Sequence, residues 1–93
     1  MKSELTPDAH VDIAEAMEYY AEQGGLQLAS DFYTEFWSAV KRAEQNANSY
    51  PIYIKNYRRV QLHRFPYNIL FRIVNDQTIR ILTVRHDKRH PRY

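Results

Sequence analysis

Apolar residues recur at helical spacing through the first half of the chain and at strand spacing through the second. Ala9, Ile13, Ala16, Met17 and Tyr20 mark one face of a helix. Thr6-Pro7-Asp8 ahead of them supplies an N-cap, a proline at the first helical position and an acid in the first turn. Asp12, Glu15, Glu18 and Glu22 lie largely off that stripe. Gly24-Gly25 is expected to end the helix, because glycine takes the left-handed cap without a steric penalty. A second helix is expected from near Leu26 to about Asn46. Its stripe is Leu28, Phe32, Phe36, Ala39 or Val40, and Ala43, widened by Tyr33 and Trp37. The short glycine turn predicts an antiparallel helical hairpin.

After the polar segment Asn46-Ala47-Asn48-Ser49-Tyr50-Pro51, read as a loop, the period changes to two. Arg58, Val60 and Leu62 share one face of a strand; Arg59, Gln61 and His63 share the other. Phe65-Pro66 turns the chain. In the next strand Tyr67, Ile69, Phe71 and Ile73 alternate with Asn68, Leu70, Arg72 and Val74. Asn75-Asp76-Gln77 predicts a hairpin turn, and Thr78 to Arg85 or His86 a third strand. Residues 2–5 fit a short edge strand. The fold class is thus α+β: an N-terminal antiparallel helical hairpin packed on a small, mainly antiparallel β-sheet, in the order β-α-α-β-β-β. An antiparallel sheet can bury one face and show the other to solvent.

A chain of 93 residues has the size of one domain, here 1–93, and can bury roughly 60–65% of its unfolded surface. The absence of cysteine excludes disulfides, thiolate metal sites and cysteine nucleophiles, and favours a cytoplasmic home. The N-terminus lacks the apolar stretch of a signal peptide, and no apolar run approaches the roughly 20 residues of a membrane span.

Charge divides the chain. Residues 1–50 hold three basic and nine acidic residues, a net of −6; residues 51–93 hold ten basic and two acidic, a net of +8. That asymmetry points to a polyanion or an acidic partner protein on the basic half. In that half arginine outnumbers lysine eight to two. The planar guanidinium suits phosphates and carboxylates and stacks on bases. Arg58, Arg59, His63, Arg64, Arg85, His86, Lys88 and Arg89 form the candidate target-binding patch, with Tyr57, Tyr67 and Tyr93 interleaved. Such a set fits single-stranded nucleic acid, and equally an acidic, partly disordered protein. A third reading is a soluble sheet whose charges guard its edges.

Other chemistries find little support. His63, His86 and His90 lack metal-ligand spacing, and cations crowd the last two, so neither a metal nor a cofactor is expected. The serines have no nucleophile-elbow context, and Gly24-Gly25 follows a helix where a phosphate loop would follow a strand.

The helical half followed by Tyr57-Arg58-Arg59, then Leu62-x-Arg64-Phe65-Pro66-Tyr67-x-Ile69-x-Phe71, then Ile81-Leu82-x-Val84-x-His86-x-x-Arg89-x-Pro91, resembles the RelE/ParE superfamily of toxins, often labelled plasmid stabilisation proteins. Asp12-Ile13-x-Glu15-Ala16-x-x-Tyr19-Tyr20 fits the same pattern, so the resemblance covers nearly the whole chain. It implies a cytoplasmic toxin held inactive by a cognate acidic antitoxin. One branch of the superfamily cleaves messenger RNA in the ribosomal A site; the other inhibits DNA gyrase. On the nuclease reading the residues implied are Arg59, Arg85, His86, Arg89 and Tyr93, with His86 or Tyr93 moving the proton and the arginines holding the phosphate. The nuclease pattern transfers in part only. Its second basic residue on the first meander strand is matched by Gln61, and the arginine it carries after the strand-opening tyrosine is matched by Asn68. Asp87 interrupts its basic run after the last strand.

Overall fold

A computed structural model describes residues 1–88. Strand β1 (Lys2–Leu5) leads into a helical element, α1 (Pro7–Gln45), and a short 3-10 turn (Ala47–Ser49). Four strands follow: β2 (Ile52–Ile54), β3 (Tyr57–Gln61), β4 (Tyr67–Asn75) and β5 (Thr78–His86). The strands form a single sheet in the order β1-β5-β4-β3-β2. β1 runs parallel to β5, and the other neighbours are antiparallel.

Thr6 caps α1 as its position predicts: its hydroxyl accepts from the Ala9 amide at 3.1 Å and donates to the Leu82 carbonyl at 2.7 Å. One side chain thus fixes the start of the helix and ties it to the edge of β5.

The expected helical hairpin is corrected. The helical residues form one element with no connecting loop, and the order of elements is β-α-β-β-β-β. The physical reason lies in the glycine pair. Only Gly24 (φ −145°, ψ 16°) and Gly25 (φ 81°, ψ −178°) leave helical geometry, and the chain re-enters the helix at once. The result is a sharp kink. Tyr20 and Phe32, on either side of it, stack with ring centroids 5.4 Å apart. In a straight helix a separation of twelve residues would set them about 18 Å apart. The further strand, β2, falls just after Pro51, where the sequence shows no alternation long enough to predict it.

The kink lets both parts of α1 cover one face of the sheet. Ala9, Ile13, Ala16, Phe32, Phe36, Val40 and Ala43 join Val60, Leu62, Ile69, Phe71, Ile79, Ile81 and Val84 in one buried cluster. Tyr33 and Trp37, expected to widen the helical stripe, stand 45% and 37% exposed instead. No helix among the described residues is long and apolar enough to cross a membrane.

Register fixes the faces of the sheet. Leu70 pairs with Thr83 and Phe71 with Ile81, so Leu82 is an extra residue in β5. The bulge reverses the alternation beyond it. Ile79 and Ile81 point to the core, and so do Val84 and His86, which stand opposite Ile69 and Tyr67. Arg85, opposite Asn68, points to the face away from α1.

Candidate functional site

The basic residues predicted from sequence separate into several environments. Arg59 lies on the face of the sheet away from α1, its guanidinium 4.3 Å from the centroid of the Tyr53 ring. Arg85 shares that face but is buried. His86 projects to the opposite face, edge-on to Tyr67 at 5.3 Å, and its Nδ1 accepts from the Lys88 amide at 3.2 Å. Arg58 is engaged with the loop after α1, donating to the carbonyls of Tyr50 (2.5 Å) and Asn48 (3.4 Å). Arg64 is exposed and lies 3.7 Å from Asp31. His63 and Lys88 are exposed, and the His63 amide donates to Glu35 Oε1 at 2.7 Å. Arg89 and Tyr93 lie outside the described residues. Of the residues named for phosphate chemistry, the sheet therefore brings Arg59 and Arg85 to one face and sends His86 to the other.

The residues that meet at the end of the meander are Gln61, Asn68 and Asp87. Gln61 Nε2 donates to both carboxylate oxygens of Asp87, at 3.1 and 2.9 Å, and also to the Tyr67 carbonyl at 2.7 Å. Asn68 Nδ2 donates to Asp87 Oδ1 at 3.0 Å. Two neutral amides thus hold a carboxylate at the positions where the nuclease pattern asks for cations. The Asp87 amide in turn donates to the Pro66 carbonyl at 2.8 Å, which pins the carboxylate over the turn. A carboxylate in this place repels a phosphate and supplies no positive charge to a developing phosphorane.

On the helix side, a cleft of about 370 Å³ opens between the first part of α1 and the end of β5, bounded by Asp12, Glu15, Tyr19, Tyr67, His86 and Lys88. Asp12 is buried there and accepts from the Thr83 hydroxyl and from the Val84 amide, the latter at 3.0 Å. Behind the cleft, Tyr20 packs edge-on to Phe65 (4.9 Å) and Tyr67 (6.0 Å). The pKa of its hydroxyl is pushed up to about 12, chiefly by burial, with Tyr67, Tyr19 and Asp87 adding to the effect. Among the described residues no cluster of three or more histidines, aspartates or glutamates could hold a metal ion.

Asp12, expected from the sequence spacing to lie largely off the apolar stripe, is buried. A signal exists: it follows Ala9 by three residues and precedes Ala16 by four, which sets it on the buried stripe. Asp87 reads in the sequence only as an interruption. Its pairing with Gln61 and Asn68 depends on register, which no local pattern encodes.

A family model described as "ParE toxin of type II toxin-antitoxin system, parDE" matches residues 4–91. The chain is 37% identical over 81 residues to "Toxin ParE2" of Mycobacterium tuberculosis (strain CDC 1551 / Oshkosh). The aligned stretch covers 86% of this chain and 75% of that relative. The same values hold for Toxin ParE2 of strain ATCC 25618 / H37Rv. Among solved structures, "Chromosomal ParDE TA system from P. aeruginosa" superposes with a TM-score of 0.80 at 25% identity, covering 92% of this chain and 95% of that one.

Proposed function

The chain belongs to the ParE toxin family of type II toxin–antitoxin systems, and from that premise we propose that it arrests growth by binding a target such as DNA gyrase, and that a cognate acidic antitoxin neutralises it. The observation that carries the proposal is the Gln61–Asn68–Asp87 cluster, which puts amides and a carboxylate where RNA cleavage would require cations. His86 projects to the other face of the sheet from Arg59, which argues against the two holding one scissile phosphate.

Neutralisation finds support in the surface of α1. Leu26, Tyr33 and Trp37 are exposed along it, an apolar strip that a partner chain would cover. An acidic partner would meet the cations of the strands at the same time. Its binding is therefore expected to weaken with salt, since interactions between exposed charges are screened.

The test is supercoiling by DNA gyrase in the presence of the purified protein. Inhibition at micromolar protein is the expected result, relieved by a cognate antitoxin. New messenger ends on translating ribosomes, lost in Tyr93→Phe or His86→Ala, would establish ribosome-dependent endoribonuclease activity instead.

A further inference from the structure

The face of the sheet turned away from α1 carries an arrangement that the cluster at its end does not explain. Arg72 and Arg80 stand directly opposite each other on β4 and β5. Directly opposed residues on antiparallel strands lie about 5 Å apart, and like charges in that relation destabilise the pair. Arg80 is offset by Glu4, its register partner on β1, whose Oε1 lies 2.7 Å from Arg80 Nε. Among the described residues no carboxylate forms an ion pair with Arg72. Nor do these arginines guard an edge, since β4 and β5 are interior strands. One residue pair further along, Arg59 stands opposite Leu70, on the same face as Arg72 and diagonal to it. Diagonal neighbours of this kind lie about 7–8 Å apart. Three arginines thus step across the sheet from β5 to β3, ending at a guanidinium stacked on the 46%-exposed ring of Tyr53.

We propose that this face binds a single-stranded nucleic acid, with Arg80, Arg72 and Arg59 along the phosphates and the Tyr53–Arg59 stack as a platform for a base. The face offers charge and a flat aromatic surface, the two things such a ligand needs. An acidic protein segment needs apolar anchors as well. The large aliphatic side chain at the centre of this face, Leu70, is only 1% exposed, so beyond the Tyr53 ring the face gives such a segment little to anchor on. The proposal does not depend on gyrase being the target, because it concerns the isolated chain and a bare oligonucleotide.

The test is fluorescence anisotropy of a labelled oligothymidylate of about 15 nucleotides, titrated with the full chain between about 50 and 200 mM salt. Saturable, salt-dependent binding is expected. Arg72→Gln with Arg80→Gln should weaken it at least about tenfold and lower the slope of log K against log salt by about 1.4, that is 0.7 for each phosphate no longer neutralised. Tyr53→Ala should weaken it several-fold with the slope unchanged, because stacking releases no counterions. Lys41→Glu on α1 removes as much charge as the double variant and should leave the slope intact. Arg72→Gln alone relieves a repulsion, so it should keep or raise Tm; should the double variant unfold, this single change carries the test with a slope change of about 0.7. Absence of binding at the lowest salt would overturn the proposal. So would equal losses in Lys41→Glu, or tighter binding of a polyglutamate peptide than of the oligonucleotide.

Discussion

Asp12 and Val84, 72 residues apart in the chain, are joined by a hydrogen bond of 3.0 Å from the Val84 amide to the Asp12 carboxylate. β1 ends its pairing with β5 at Ile81, and the bulge follows at Leu82. The buried amide of Val84 would have no strand partner on that side, and a helix side chain supplies one. Asp12→Ala should cost about 2–3 kcal/mol, since it leaves the Val84 amide and the Thr83 hydroxyl without their acceptor. Thr83→Val should cost about 1 kcal/mol. Urea unfolding of the two single variants and the double variant measures both, and the double should fall short of the sum because the two residues share one interaction.

The kink makes unequal demands on its two glycines. Gly25, at φ 81° and ψ −178°, occupies a region that other residues enter at a cost of about 1–3 kcal/mol, and Gly25→Ala should lose that much. A Cβ on Gly24 would lie 2.7 Å from Leu28 Cδ2, which can rotate away, and 3.1 Å from Leu28 Cβ, which must give by a few tenths of an ångström; with no positive φ to strain, Gly24→Ala should cost less. Equal losses in thermal unfolding would show that the backbone at Gly25 is not the constraint.

Neighbouring aromatic residues on α1 divide sharply. Phe36 is fully buried, and Phe36→Ala should cost about 3–5 kcal/mol. Trp37→Ala, at a residue 37% exposed, should cost about 1 kcal/mol or less and should instead weaken antitoxin binding. Calorimetric titration with the antitoxin, alongside chemical denaturation, separates the two effects.

Tyr20 provides a pH signature. Its hydroxyl, with a pKa pushed up to about 12 by burial and nearby groups, stays protonated in the fold after an unfolded tyrosine near pH 10 has ionised. The folded state then holds the extra proton, so stability falls as pH rises from about 10 towards 12. Ultraviolet titration should show one tyrosine ionising last, and Tyr20→Phe should remove that late phase.

The sequence by itself determined the elements that rest on local chemistry. Thr6-Pro7 set the start of the helix through a cap and a fixed φ, and alternation set which residues of β3 and β4 face the core. It also separated the acidic helical half from the basic strands. Only the tertiary structure decided what depends on contacts between distant residues. The glycine pair reads locally as a helix end, yet packing of Tyr20 on Phe32 and of both helical parts on the sheet holds it as a kink within one element. The bulge at Leu82 sends His86 to the helix side and Arg85 to the other, because one extra residue reverses every side chain after it. Register also set Asp87 on Gln61 and Asn68, and Arg72 opposite Arg80. Local pattern can say that a residue is charged and lies on a strand; which charge it meets is a property of the pairing of strands.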